Sequence, residues 1–258
     1  MTSVALPNRT SLRDRISAEE WQVRVDLAAC YRMVARNGWD DGIFTHNSAR
    51  VPGVDDHFLL NPYGLMFSEI TASSLVKVDV DGRVIDPPDA EIINAGFTIH
   101  SAIHMSRHDA LCVMHTHTIA GMAVSAQACG LLPLNQKSMR FFNRIAYHDY
   151  EGIADNLEER ERLVEDIGNC RAMILKNHGL LTAGRTIAEA FTLMRYLQNA
   201  CELQIAAQAG GELTIPPPSV CERVALQFDR SGDNQCANDA SWAAYKRSLD
   251  REEPDYME

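Results

Sequence analysis

VMHTH, residues 113–117, ends an apolar run that starts at Leu111, and TIAGMAVSAQACG at 118–130 follows it with helical spacing. A buried strand that gives way to a helix at two histidines starts an alternating α/β pattern. AMILKNHG at 172–179 repeats the buried strand and is read as ending at His178. Side chains two apart on a strand leave the same face, so His115 and His117 can reach one ion where the strand opens into a cleft. His178 offers a third imidazole, and Gly179 after it lacks a side chain and so permits close approach. Three neutral imidazoles with coordination positions left open make a catalytic metal site. A partly buried histidine that bonds its neighbours is the commoner use of the residue, and spacing alone leaves both readings open.

Outward from these strands the same alternation continues. Ser17-Ala18-Glu19-Glu20 has the form of a capping box, and Trp21, Val25, Ala28 and Tyr31 then recur at helical spacing, which predicts a helix to about Arg36 with its exit at Asn37-Gly38. Short strands are expected at 43–50 and 57–60, in a stretch of high polar density. LVKVDVDGRVID reads as a hairpin turning at Asp81-Gly82. AEIINAGFTIHSAIHMSR puts Ile92, Ile93, Gly96, Phe97, His100 and Ile103 on one helical face. Thr186 to Glu189 repeats the capping box before a long helix whose stripe is Phe191, Met194, Leu197 and Cys201, ending at Gly210-Gly211. The expected division is an N-terminal segment 1–16, an α/β domain 17–211 and a C-terminal arm 212–258 with a short helix carrying Trp242, Tyr245 and Leu249, able to cover a neighbouring subunit.

With 258 residues the chain can bury one large core. A net charge of -11 without a Lys/Arg cluster argues against nucleic acid and anionic lipid as partners. Seven cysteines without a CxxC read as reduced thiols, and residues 1–15 lack the apolar core of a secretory signal, so a cytoplasmic location is expected. The charge-poor stretch 110–136 is broken by polar residues too often to span a membrane.

HTHT after one apolar strand, KNHG after another, and IHSAIHMSRHDA ahead of the first together resemble the class II aldolase and adducin family, over about 21–211 and again in the ending SLDREEPDY. The resemblance implies a three-layer α/β/α sandwich around a mixed β-sheet. It also implies a divalent metal, Zn2+ before Fe2+, on His115, His117 and His178, and a homo-oligomer, commonly a tetramer with sites at subunit contacts.

The chain departs from the sugar-phosphate aldolases of that family. Their acidic ligand and base stands four positions before the helix histidine, here His100, and that position is Gly96. Glu91 can replace it only if the helix start is remodelled; otherwise it is a surface Glu. The phosphate-binding text is altered too: THNSAR at 45–50, NPYG at 61–64 and Asn94-Ala95 retain few of the donors a phosphate needs. SARVP, TASSLVKV and NAGF are instead similar to the adducin branch, whose head domain is regarded as a non-catalytic part of an actin-binding scaffold. His46 and Glu91 are the candidate acid–base residues, and Asn61, Tyr63, Gly64, Asn94 and His100 the candidate substrate contacts; Tyr147 and Tyr150 can donate a phenol to a neighbouring subunit or simply pack. Three readings follow. One is a metal-dependent lyase that cleaves or decarboxylates a small non-phosphorylated hydroxy- or oxo-acid through a metal-stabilised enediolate. The others are an Fe(II) oxygenase-decarboxylase of aromatic oxo-acids on the same fold and an adducin-like interaction module.

Overall fold

The computed structural model describes residues 11–152, 158–232 and 235–258; the side chains of 94–96, 231–232 and 235–238 lie outside the described set. In chain order the elements are α1 Leu12–Arg15, α2 Ala18–Arg36, β1 His46–Arg50, β2 His57–Leu60, β3 Val76–Asp79, β4 Val84–Asp86, α3 Asn94–Ser106, β5 Cys112–Thr116 and α4 Ile119–Ser125. They continue with α5 Gln136–Met139, β6 Ile145–His148, α6 Glu159–Ile167, β7 Ala172–Leu175, β8 Gly179–Gly184, α7 Ile187–Ala209, α8 Pro218–Gly232 and α9 Gln235–Glu252. The strands described form one sheet in the order β4-β3-β2-β1-β5-β8-β7-β6, antiparallel throughout except for the parallel β6–β7 pair.

Strand residues alternate between two cores, as the period of two requires. Cys112, Met114, Ala172, Ile174 and Leu180 face α2 and α7, whose Leu27, Tyr31, Phe191, Met194 and Leu197 complete that core. Val113, Met173, Leu175, Leu181 and Ala183 face the other way, onto Ile99, Ala102 and Ile103 of α3 and Leu163 and Ile167 of α6. The result is the α/β/α sandwich around a mixed sheet. Among the described residues no helix is long and apolar enough to cross a membrane.

Several local readings need correction. Ser17 caps α2 by accepting from Glu20 N at 3.1 Å, but the Glu20 carboxylate is drawn off to Arg24 and Lys77, so only half of the capping box forms. Thr186 likewise accepts from Glu189 N, while the Glu189 carboxylate takes Arg185 N. The second histidine-bearing strand stops at Leu175; His178 lies in the turn that leads into β8. Ile92 and Ile93 precede α3 rather than extending it. The C-terminal segment holds two long helices instead of one short one. It packs on its own domain: Trp242 and Tyr245 meet Phe191, Leu249 and Tyr256 are fully buried, and the Tyr256 and Glu258 carbonyls accept from Ala72 and Ser73 N.

Candidate metal centre

Three backbone features bring the histidines together. β5 carries His115 on the α3 side of the sheet, opposite His46 of β1 in the antiparallel register. His117 follows just beyond the strand end, and the β7–β8 turn delivers His178. That turn needs Asn177 at φ +56, a left-handed angle that Asn tolerates better than most residues, and its N–H is tied to the Ser125 carbonyl at the end of α4. Gly179 closes the gap: a Cβ there would stand 2.4 Å from the Thr116 carbonyl and 3.1 Å from the His117 ring.

The three rings then lie with centroids 4.6 to 4.8 Å apart. One nitrogen from each falls within 4.8 Å of the others, the one such cluster of His, Cys, Asp or Glu among the described residues. Hydrogen-bond accounting gives the tautomers. His115 Nδ1 is 2.9 Å from the Leu180 carbonyl, which can only accept, so Nδ1 carries the proton. His117 Nδ1 faces Asp41 Oδ2 at 3.1 Å and is likewise the donor. With both rings neutral, the two Nε2 atoms present lone pairs and face each other at 2.8 Å. Two acceptors at that distance repel unless they share a proton or ligate one metal ion, and with His178 alongside the donor set fits a divalent metal held by His115, His117 and His178. Asp41 would serve as the carboxylate behind a metal-bound imidazole, a partner that fixes ring orientation and raises ligand basicity. Sequence reading missed Asp41; its signal was the Asp-Gly turn in WDDG, where Gly42 adopts φ +59.

Burial sets the charge state. It pulls the His115 pKa well below the ordinary histidine value, with His178, His117 and His46 adding repulsion. His178 is lowered to about 4 by burial, then by His117 and His148. Both are thus neutral and ready to ligate at physiological pH.

His46 sits beside this group, its ring centroid 5.3 Å from that of His115. Burial, followed by His100, His117 and His178, holds its pKa well below normal, so it is present as a neutral acceptor rather than as an acid. It follows Thr45, a β-branched residue at φ +63, a strained angle of the kind that gathers at functional sites. His100 is fully buried, with Nε2 2.7 Å from His46 Nδ1 and Nδ1 2.5 Å from Ser48 Oγ. Both nitrogens are engaged, so it supports His46 and has none left for a substrate. Glu91 is exposed three residues ahead of α3, outside the histidine cluster, and its carbonyl accepts from Tyr63 N. Asn61 is buried with Oδ1 2.8 Å from the Tyr31 phenol, Tyr63 is half exposed, and Gly64 has φ +94 with open space around it. The Asn94 side chain lies outside the described residues. Of the two tyrosines, Tyr147 is committed to Leu131 N, whereas the exposed Tyr150 stands 6.3 Å from the His178 ring.

An α/β/α sandwich with imidazoles converging at strand ends is the class that fold and site define. The chain belongs to the class II aldolase and adducin family: residues 25–205 fit the description Class II Aldolase and Adducin N-terminal domain. It is similar to an aldolase II superfamily protein from Pseudomonas syringae, 52% identical with a TM-score of 0.91, covering 96% of this chain and 100% of that one. Rat alpha-adducin is 44% identical over 194 residues, which are 73% of this chain and 26% of that protein. The L-fuculose 1-phosphate aldolase of Glaciozyma antarctica is 29% identical with a TM-score of 0.80 over 91% of this chain and 92% of that one.

Proposed function

We propose that the chain is a divalent-metal-dependent carbon–carbon lyase acting on a small, non-phosphorylated hydroxy- or oxo-acid, with His115, His117 and His178 as the metal ligands. The observation that carries it is the pair of opposed Nε2 lone pairs, whose partner nitrogens are both committed as donors. A bound cation would polarise the oxygens of an oxo-acid and stabilise negative charge left by carbon–carbon cleavage. The chain's own residues do the rest: Asp41 orients His117, Leu180 orients His115, and His46 is the neutral group nearby that can take a hydrogen bond or a proton from a substrate hydroxyl. The text at 45–50 and 61–64, together with Asn94-Ala95, supports a substrate without a phosphate. Zinc is the first choice of metal; iron suits the same imidazoles and would favour the oxygenase-decarboxylase reading. A cytoplasmic homotetramer belongs to the same proposal.

The alpha-adducin identity favours a second reading, an interaction module that retains the site without turnover. One panel separates them. Non-phosphorylated oxo- and hydroxy-acids are offered with and without added Zn2+ or Fe2+, beside sugar phosphates and a filament-binding assay. Metal-dependent turnover of a non-phosphorylated acid is expected, reduced in His46→Ala. Turnover of sugar phosphates alone refutes the substrate class, and filament binding without turnover supports the module.

A further inference from the structure

Behind His46 runs a line of hydrogen bonds that the metal site does not itself require. His104 Nδ1 is 3.0 Å from the Ala110 carbonyl, His104 Nε2 is 2.7 Å from Ser48 Oγ, Ser48 Oγ is 2.5 Å from His100 Nδ1, and His100 Nε2 is 2.7 Å from His46 Nδ1. His46, Ser48, His100 and His104 are all buried.

The direction of every bond follows from the fixed end. A carbonyl only accepts, so His104 Nδ1 bears hydrogen and its Nε2, in a neutral ring, is an acceptor. Ser48 has one hydroxyl proton and must give it to that Nε2. The serine oxygen therefore accepts from His100 Nδ1–H, which leaves His100 Nε2 as an acceptor. His46 Nδ1 must then be the donor. Reversing any one bond would set two donors or two acceptors face to face without solvent, leaving buried polar groups unsatisfied. All four side chains are buried, and their hydrogen-bond partners are imidazoles, a hydroxyl and a carbonyl with no carboxylate among them, so the line is built from neutral rings.

We propose that Ser48, His100 and His104 are positioning residues that lock His46 as its Nδ1–H tautomer, leaving an Nε2 lone pair beside the histidine cluster that selects a substrate bearing a hydroxyl donor. His46 lies outside the three-nitrogen group, so this lone pair is not committed to the metal. It has no hydrogen-bond partner among the described residues, and it repels a carboxylate or phosphate oxygen while welcoming an O–H. The inference deepens the lyase reading by adding that the reacting acid carries a free hydroxyl or hydrated carbonyl near His46.

The test is histidine-selective 15N labelling of the full-length protein, with long-range proton–nitrogen correlation to read each ring's tautomer. His46, assigned by its loss in His46→Gln, should show a single neutral Nδ1–H tautomer. In Ser48→Ala the coupling is cut and His46 should become a tautomer mixture, while Ser48→Thr, which keeps the hydroxyl, should restore the single state. His104→Leu, which removes the fixed end, is the second variant should Ser48→Ala fail to fold. An Nε2–H tautomer in the wild type, or a His46 signal unmoved by cutting the line, overturns the proposal. Zinc content measured on the same samples is independent: its absence from the wild type would refute the metal reading while leaving the tautomer result to stand or fall by itself.

Discussion

Gly179→Ala adds one methyl group at the seam of β5 and β8 and should damage metal binding as well as stability. The new Cβ would stand 2.4 Å from the Thr116 carbonyl oxygen, 3.1 Å from His117 Cδ2 and 3.3 Å from His115 Cε1. A carbon normally approaches a carbonyl oxygen to about 3.3–3.6 Å, so the two backbones must part by about 1 Å. Metal–nitrogen distances tolerate only about 0.2 Å, and the parting backbones carry two ligands on one side and the third on the other. A displacement of that size costs on the order of a hundredfold in a site that depends on positioning, or about 2.8 kcal/mol of binding. Overpacking in the fold itself should cost about 1–3 kcal/mol. Zinc affinity is read by competition with a chromophoric chelator and stability by urea denaturation. An alanine variant that binds zinc within threefold of the wild type would refute the argument that Gly179 sets the spacing of the ligands.

Asp41→Asn keeps the shape beside His117 but loses the anionic acceptor, and should weaken zinc binding by about 10- to 100-fold in the same competition assay; unchanged affinity would remove Asp41 from the site. His104 is held neutral by burial and by the Arg50 charge, its pKa lowered from 6.5 to about 3. As pH falls the unfolded chain takes up this proton first, so the contribution is full above about 6.5 and is lost by about 1.4 kcal/mol per pH unit down to about 3. Stability against pH should therefore be shallower by one proton in His104→Gln, and parallel profiles would contradict a buried neutral ring. Trp242→Ala should cost about 3 kcal/mol in urea denaturation, because the ring packs on Phe191 in the main core; a loss below about 0.5 kcal/mol, the range of surface changes, would show that the C-terminal helices are not part of that core.

The layered architecture was legible because it rests on local pattern. Cys112 to Met114 and Ala172 to Leu175 are apolar runs buried on both faces, and Ser17 and Thr186 mark helix starts by their own side chains. Strand spacing paired His115 with His117 and offered His178 as a third imidazole, but the choice of a metal site over ordinary hydrogen-bonded histidines came from the family resemblance, since spacing offers no clue that the β7–β8 turn meets the end of β5. Placing His178 at a strand end missed the left-handed Asn177, because KNHG reads as the tail of an apolar run as easily as a turn. Asp41 and the Ser48–His100–His104 line were hidden for a different reason. Each depends on partners more than fifty residues away, His117 for the first and β1 against α3 for the second. The C-terminal helices were underestimated because α8 and α9 owe their stability to packing on α5, α7 and α2, which no local signal at 212–258 reveals.

The central claim is that three imidazoles hold one divalent cation, and elemental analysis of protein purified without chelator tests it most directly. About one equivalent of zinc or iron per chain is expected in the wild type, falling to a small fraction in His117→Ala, which removes a ring bound on one side by Asp41 and opposed on the other by His115. A wild type free of metal after dialysis against zinc, or a His117→Ala variant with undiminished content, would contradict the account.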